Sequence, residues 1–234
     1  MRKQDLRQAL DETRRREAEL VAISVDEPAD PAGRWHPKDH LLHMAMARER
    51  EAALIEAVRT GGEVPPRFEE AHNDEVYAAN RDRPAAQVIE DADKSWEKLL
   101  AAIDASTDED LERPHPHHRD RKLLDGSSAD HLAAHLMWAH LDAGDELAAE
   151  AAVRWAWDLS SRMSRDRRSN ALGAYNVACF YARMGRVDDA LPLLRQGFEG
   201  APDLKDWALK DPDIDPIRED SLVAELLAGA VRQS

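Results

Sequence analysis

Three histidines are the residues of this chain best placed to do chemistry: His43, at the end of WHPKDHLLH, and His131 with His135 in DHLAAH. His131 and His135 stand four apart, so on a helix they project from one face a single turn from each other, as two imidazoles must to share one cation. A third imidazole from another helix completes a facial set. Neutral imidazole suits zinc, nickel, copper or iron, and three protein ligands leave positions open for water or substrate. These residues make an enzyme conceivable without specifying its reaction.

The other histidines are weaker candidates. His40 neighbours His43 but is expected to point off its face, and His140 lies five residues beyond His135, about 140° around a helix. His36 is expected to face solvent. His115, His117 and His118 in RPHPHHRDR form a tract of the kind that can bind metal. Prolines break that tract, so it reads as a solvated connection, with a rim or lid over the site as the alternative. Asp39, one turn before His43, has two readings: an acceptor that orients His43, or an acid favourable near a helix start.

These side chains need helices to position them, and helical spacing dominates the chain. Leu6, Leu10, Leu20 and Val21 lie among charges over residues 3–24, the stripe of an amphipathic helix. Pro28, Pro31 and Gly33 follow. Pro37 suits the first turn of a second helix running to about Thr60, stopped by Gly61, Gly62, Pro65 and Pro66. A third runs from about Pro84 to Ala105, and Ser127 or Ser128 can cap a fourth reaching about Ala149. Four such helices make a bundle. The connection of roughly twenty residues between the second and third is long enough to cross it, which permits those two to run parallel in an up-down-down-up order.

Composition bounds the function. The 234 residues carry a formal net charge of -15, with 43% hydrophobic and 34% charged residues. That charge repels phosphate backbones and disfavours nucleic acid. No apolar run approaches the roughly 20 residues of a membrane span, and the opening MRKQDLRQALDETRRREAEL has no signal-peptide core. A single cysteine, Cys179, excludes an intramolecular disulfide and agrees with a reducing compartment. The expected location is the cytoplasm, and the alanine- and arginine-rich composition suits a bacterial source. The expected partners are small molecules or proteins.

Residues 1–150 resemble a known family. Trp35, Asp39 and His43, the stretch YAANRDRPAAQVIEDADKSWEKLLAAI, the acidic DEDL of residues 108–111 and HLAAH are similar to the DinB-like four-helix bundles. The closest resemblance is to the branch holding ClbS/DfsB proteins and the N-terminal domain of mycothiol-dependent maleylpyruvate isomerase. The resemblance implies an up-down-down-up bundle with a divalent metal, zinc or nickel foremost, on His43, His131 and His135. It implies thiol transfer using a low-molecular-weight thiol, or hydrolysis of a small electrophile, in detoxification or resistance.

Residues 151–234 have a different signature. In ALGAYNVACFYARMGRVDDALPLLRQGFEGAPD, Ala178, Tyr181, Gly185, Ala190, Leu194 and Pro202 fall at the spacings of a tetratricopeptide repeat, and the stretch resembles that family over its full length. Small residues at Ala178 and Ala190 let two helices approach, with Tyr181 and Leu194 filling the gap. DWALKDPDIDPIREDSLVAELL resembles the tail that follows such repeats: a short helix, a proline turn and a last helix. Since one repeat cannot bury its faces alone, a helix around Val153–Met163 is the expected neighbour, with docking on the first domain or homodimerisation. Cys179 reads as a small buried residue.

The expected fold is therefore all-α, a DinB-like bundle followed by a tetratricopeptide-like helical layer. A second class of function stays open beside the metal-dependent enzyme: a scaffold that recruits a protein partner through the repeat, around a structural or vestigial metal site.

Overall fold

A computed structural model of the chain describes residues 2–28, 30, 33–69, 72–123, 128–163 and 167–229, with backbone alone at 118–122 and 128. The described residues are all-α: eleven α-helices and one 3-10 helix, with one short antiparallel hairpin. They divide into two compact units, Met1–Ala143 and Gly144–Ser234. Among the described residues no helix is long and apolar enough to cross a membrane.

In the first unit, α1 (Lys3–Ile23) buries Leu6, Leu10, Thr13, Glu17 and Leu20, three or four residues apart along one face. The second helix, α2 (Pro37–Thr60), starts on Pro37, whose fixed φ suits a first turn. It ends at Gly61, left-handed at φ 71°, with the Gly62 N–H donating back to the Ala57 carbonyl at 2.9 Å. The connection that follows contains a short helix, α3 (His72–Asn80), before α4 (Ala85–Ala105). Thr107 caps α5 (Asp108–Leu111) by accepting from the Asp110 N–H at 3.1 Å. The histidine-rich tract, expected as a solvated connection, stays largely exposed over residues 113–117 but has regular backbone. It forms an antiparallel hairpin, β1 (Pro114–His115) with β2 (His118–Lys122), leading to α6 (Ser128–Asp142). Pro31, Ser127 and the side chains of Ser128 and His118 lie outside the described residues.

Long-range bonds set the helix directions. The Lys38 ammonium, at the start of α2, donates to the Arg81 and Arg83 carbonyls just before α4, at 2.8 and 3.0 Å. Further along, Arg48 Nε donates to Ser95 Oγ at 2.8 Å, and Leu54 and Ile55 share a core with Leu99, Leu100 and Ile103. Thus α2 and α4 run in the same sense. In contrast, Lys3 of α1 donates to the carbonyls of Asp104 and Ser106 at the end of α4, and Arg14 pairs with Asp93, so α1 runs against α4.

The apolar core gathers toward the end of α2, with Leu6, Leu10, Ile55, Trp96, Leu99 and Ile103 at its centre. A buried polar layer lies on one side of it. Arg48 makes a paired bond to the Glu17 carboxylate, and Trp96 Nε1 donates to Glu17 Oε1 at 2.8 Å. The Arg48 guanidinium also covers the Trp96 ring at 4.4 Å. Every partner in this layer is bonded, which is what makes a buried charge pair tolerable.

The helix expected to reach Ala149 instead stops at Asp142. Gly144 adopts φ 74°, and the Asp145 side chain accepts from the Ala148 N–H at 3.0 Å to start α7 (Glu146–Met163). A glycine stop followed directly by an acidic cap accounts for the break. In this second unit α8 (Arg167–Arg183) and α9 (Val187–Gly200) form a hairpin turning at Gly185, φ 67°. Ala178, Ala190 and Leu194 are fully buried in it. Tyr181 also reaches α7, donating its hydroxyl to Glu150 Oε1 at 2.6 Å. Trp157 of α7 packs on Gly173 so closely that a Cβ there would lie 2.3 Å from its ring. The expected tail follows as α10 (Leu204–Ala208), a 3-10 turn at Pro212–Ile217 and α11 (Ser221–Ala228).

Candidate metal centre

The first turns of α2 and the middle of α6 face each other in opposite senses and bring His43, His131 and His135 together. His43 Nε2 lies 3.0 Å from His131 Nε2, which lies 3.1 Å from His135 Nε2. The three rings offer one nitrogen each, all within 4.8 Å of one another, a group that can hold a metal ion.

The separations test the fit. Nitrogens bound to one ion at about 2.0–2.1 Å stand about 3.0 Å apart at a right angle and about 3.4 Å apart at the tetrahedral angle. Hydrogen bonding alone serves the cluster less well. His131 Nε2 has either one hydrogen or one lone pair, and it faces two partners. A shared cation accepts a lone pair from all three.

His40, expected off the face, belongs to the cluster. It is buried, and its Nδ1 lies 2.8 Å from His135 Nδ1. Its place three residues before His43 puts both on one side of α2. The nitrogen of His135 that does not face the cluster therefore has a fixed partner, the arrangement that selects a tautomer in metal-binding histidines.

Aromatic rings enclose the group. Trp35 stacks on His135 with the rings 6.1 Å apart and 5° from parallel, and its centroid lies 5.3 Å from that of His43. Tyr77 of α3 stacks on the far side of Trp35 at 6.2 Å, and Trp138 meets His135 edge-on at 5.2 Å. The connection between α2 and α4 thus backs Trp35, which is the ring in contact with the histidines.

Burial keeps the imidazoles neutral. It pushes His40, His43 and His131 down to about 4. His135 falls further, through burial and then its three histidine neighbours. The Arg50 guanidinium lies close enough to depress both His43 and His131, and the side chain of Asn73 opposes it at His43. Neutral imidazole is the form that binds a cation.

Asp39 accepts from the His36 N–H at 2.9 Å, so it caps its own helix and does not orient His43. His36 is half-buried at the surface, where its ring bonds the Pro28 carbonyl at 3.0 Å and lies 2.8 Å from the Glu27 carboxylate. His140 lies by Glu19 at 3.8 Å, away from the cluster. His117 bonds the Pro65 carbonyl at 2.8 Å and takes part in a pocket wall with His115.

A second group, Cys179 with Asp211 and Asp213, gathers in the second unit. Asp211 already accepts from Tyr175 at 2.8 Å, Trp207 at 3.0 Å and the Asp213 N–H at 3.0 Å, while Asp213 pairs with Arg183. Burial, then Asp211, pushes the Cys179 thiol well above its ordinary range. This is a hydrogen-bonded hub around a protonated thiol.

Compared with protein-family models, with characterised proteins and with solved structures, the chain gives no match in any of the three.

Proposed function

We propose that His43, His131 and His135 hold a divalent transition metal, zinc or nickel, and that the protein is a metal-dependent thiol transferase or hydrolase acting on a small electrophilic molecule. The observation that carries this is the meeting of three neutral imidazole nitrogens, with that of His131 3.0 Å from His43 and 3.1 Å from His135. On this reading the first unit is a DinB-like up-down-down-up bundle. Support comes from α2 and α4 running in the same sense while α1 and α6 run against them.

A divalent cation in that position supplies Lewis acidity, bringing the pKa of a bound water or low-molecular-weight thiol toward neutrality. The chain's own residues supply the setting. His40 Nδ1 is placed to accept a hydrogen from His135 Nδ1, the arrangement that leaves the His135 Nε2 lone pair for the cation. Trp35, Tyr77 and Trp138 limit water around the rings and leave a flat apolar wall for a substrate. Arg50 adds positive potential on the side of His43 and His131.

A second reading, partner recruitment by a tetratricopeptide-like second unit, has an observation of its own. Leu147, Leu172, Trp207, Leu209 and Leu222 are all exposed in that unit. The two readings are compatible within one chain of two units, and homodimerisation belongs to the second.

Metal content tests the first. Mass spectrometry on tagless protein is expected to find about one equivalent of a transition metal in the wild type and none in a His131→Ala/His135→Ala variant that keeps its helical circular dichroism. An empty wild type, even after incubation with zinc or nickel, would overturn the metal reading and redirect the search to protein partners.

A further inference from the structure

The face of α2 that carries His43 continues through Ala47, Arg50, Glu51 and Leu54, residues spaced three or four apart. Beyond His43 this face lines an open pocket of about 210 Å³, lined also by Phe68 and His117. Arg50 is the unusual member. It is half-buried, and its guanidinium carbon lies over the Phe68 ring, 3.9 Å from the centroid. Among the described residues it makes no hydrogen bond and no ion pair, although Glu51 beside it on the helix contributes to its potential. Among the described residues every other buried or half-buried guanidinium of the first unit is paired with an acid, as Arg48 is with Glu17, Arg83 with Asp91 and Arg59 with Glu56.

We propose that this pocket is a binding site for a small organic carboxylate, with Arg50 as the residue that receives the carboxylate and Leu54 and Phe68 as the apolar seat for the rest of the molecule. Arginine offers a planar fork that matches a carboxylate, and the ring beneath it favours the cation by a cation–π contact without using its N–H donors. Charge selects the class further. Glu51 lines the same pocket, and the exposed Arg67 there is already turned toward Glu69 at 3.7 Å. That balance favours a single negative charge over a phosphate dianion. The volume lies below that of most drug-sized pockets, so the ligand is one small acid or the acid end of a longer molecule. The site stands without the metal. If the metal reading holds as well, a ligand anchored here extends along α2 toward His43, about two helical turns before Arg50 on the same face.

Benzoate, benzamide and phenyl phosphate titrated into the metal-free full chain, followed by nuclear magnetic resonance, test the proposal. Benzoate is expected to bind about tenfold or more tighter than its neutral isostere benzamide, as a charge-assisted bond of this kind gives. Arg50→Met is expected to abolish the preference. Arg50→Lys, which keeps the charge and loses the fork, is expected to weaken benzoate severalfold with the spectrum of the fold unchanged. The His131→Ala/His135→Ala variant is expected to keep the preference, so a failed metal site leaves this result standing. Equal binding of benzoate and benzamide, or a preference that survives both Arg50 substitutions, would overturn the assignment. Phenyl phosphate binding more tightly than benzoate would overturn the choice of a monoanion.

Discussion

His40 Nδ1 lies 2.8 Å from His135 Nδ1, and between two neutral imidazoles that contact requires one hydrogen on one of the two nitrogens. If His135 carries it, His135 Nε2 keeps its lone pair for the cluster. If His40 carries it, His135 Nε2 is protonated and lost as a ligand. A metal therefore selects the first arrangement, and His40 acts as a positioning residue. His40→Ala is expected to weaken metal binding about 10–100-fold while the helical fold is retained. Competition against a chelator of known affinity reads this directly, and unchanged affinity would remove His40 from the site.

The same burial makes a prediction about pH. His40, His43 and His131 titrate near 4 in the folded protein, against an ordinary value of about 6.5 in the unfolded chain. Between those limits the unfolded chain binds protons that the folded chain does not. Their contribution is complete above about pH 6.5 and is lost as pH falls toward 4. The urea midpoint of metal-free protein is expected to drop across that window, and to drop less in a His131→Leu/His135→Leu variant. Parallel slopes would show that carboxylates alone govern the acid limb.

Arg48 and Glu17 are both buried, so removing one strands the other. Arg48→Met is expected to cost about 3–5 kcal/mol in urea unfolding. The double variant Arg48→Met/Glu17→Met is expected to lose less than Arg48→Met alone, because no charge is left in the core. A larger loss in the double variant would mean that Ser95 and Trp96 depend on the pair more than it depends on itself.

In the second unit, Gly173 is small because Trp157 occupies the space above it. Gly173→Ala is expected to destabilise by about 1–3 kcal/mol through overpacking. Trp157→Phe in the same background is expected to recover part of that in thermal unfolding. Failure to recover would place the cost in the backbone of α8 instead.

Much of this was legible in the residues themselves. His131 and His135 announce themselves because their spacing is one helical turn, and α2 is bounded by Pro37 and Gly61. His40 obeys the same rule relative to His43, but the two leucines between them, Leu41 and Leu42, draw the eye to an apolar face instead. The break after Asp142 is written as Gly144 and Asp145. It is concealed by alanines that continue a helical pattern across it. The hairpin at 114–122 has no such signal, since proline, histidine and arginine do not alternate in hydropathy and the pairing alone makes the strands. Arg50 could not be assigned from sequence, because its ring partner, Phe68, comes from the crossing connection and only the fold brings the two together.

The two helices that carry the histidine cluster are far apart in the chain: His43 and His131 are separated by 88 residues. During synthesis the first ligand emerges long before the last, and α2 spends that interval with one imidazole and no second. Only when α6 has been released can the ligand set gather, since its non-local contacts must wait for both segments. Acquisition of a metal would then mark a finished first unit, and a chain cut short before residue 131 would carry none.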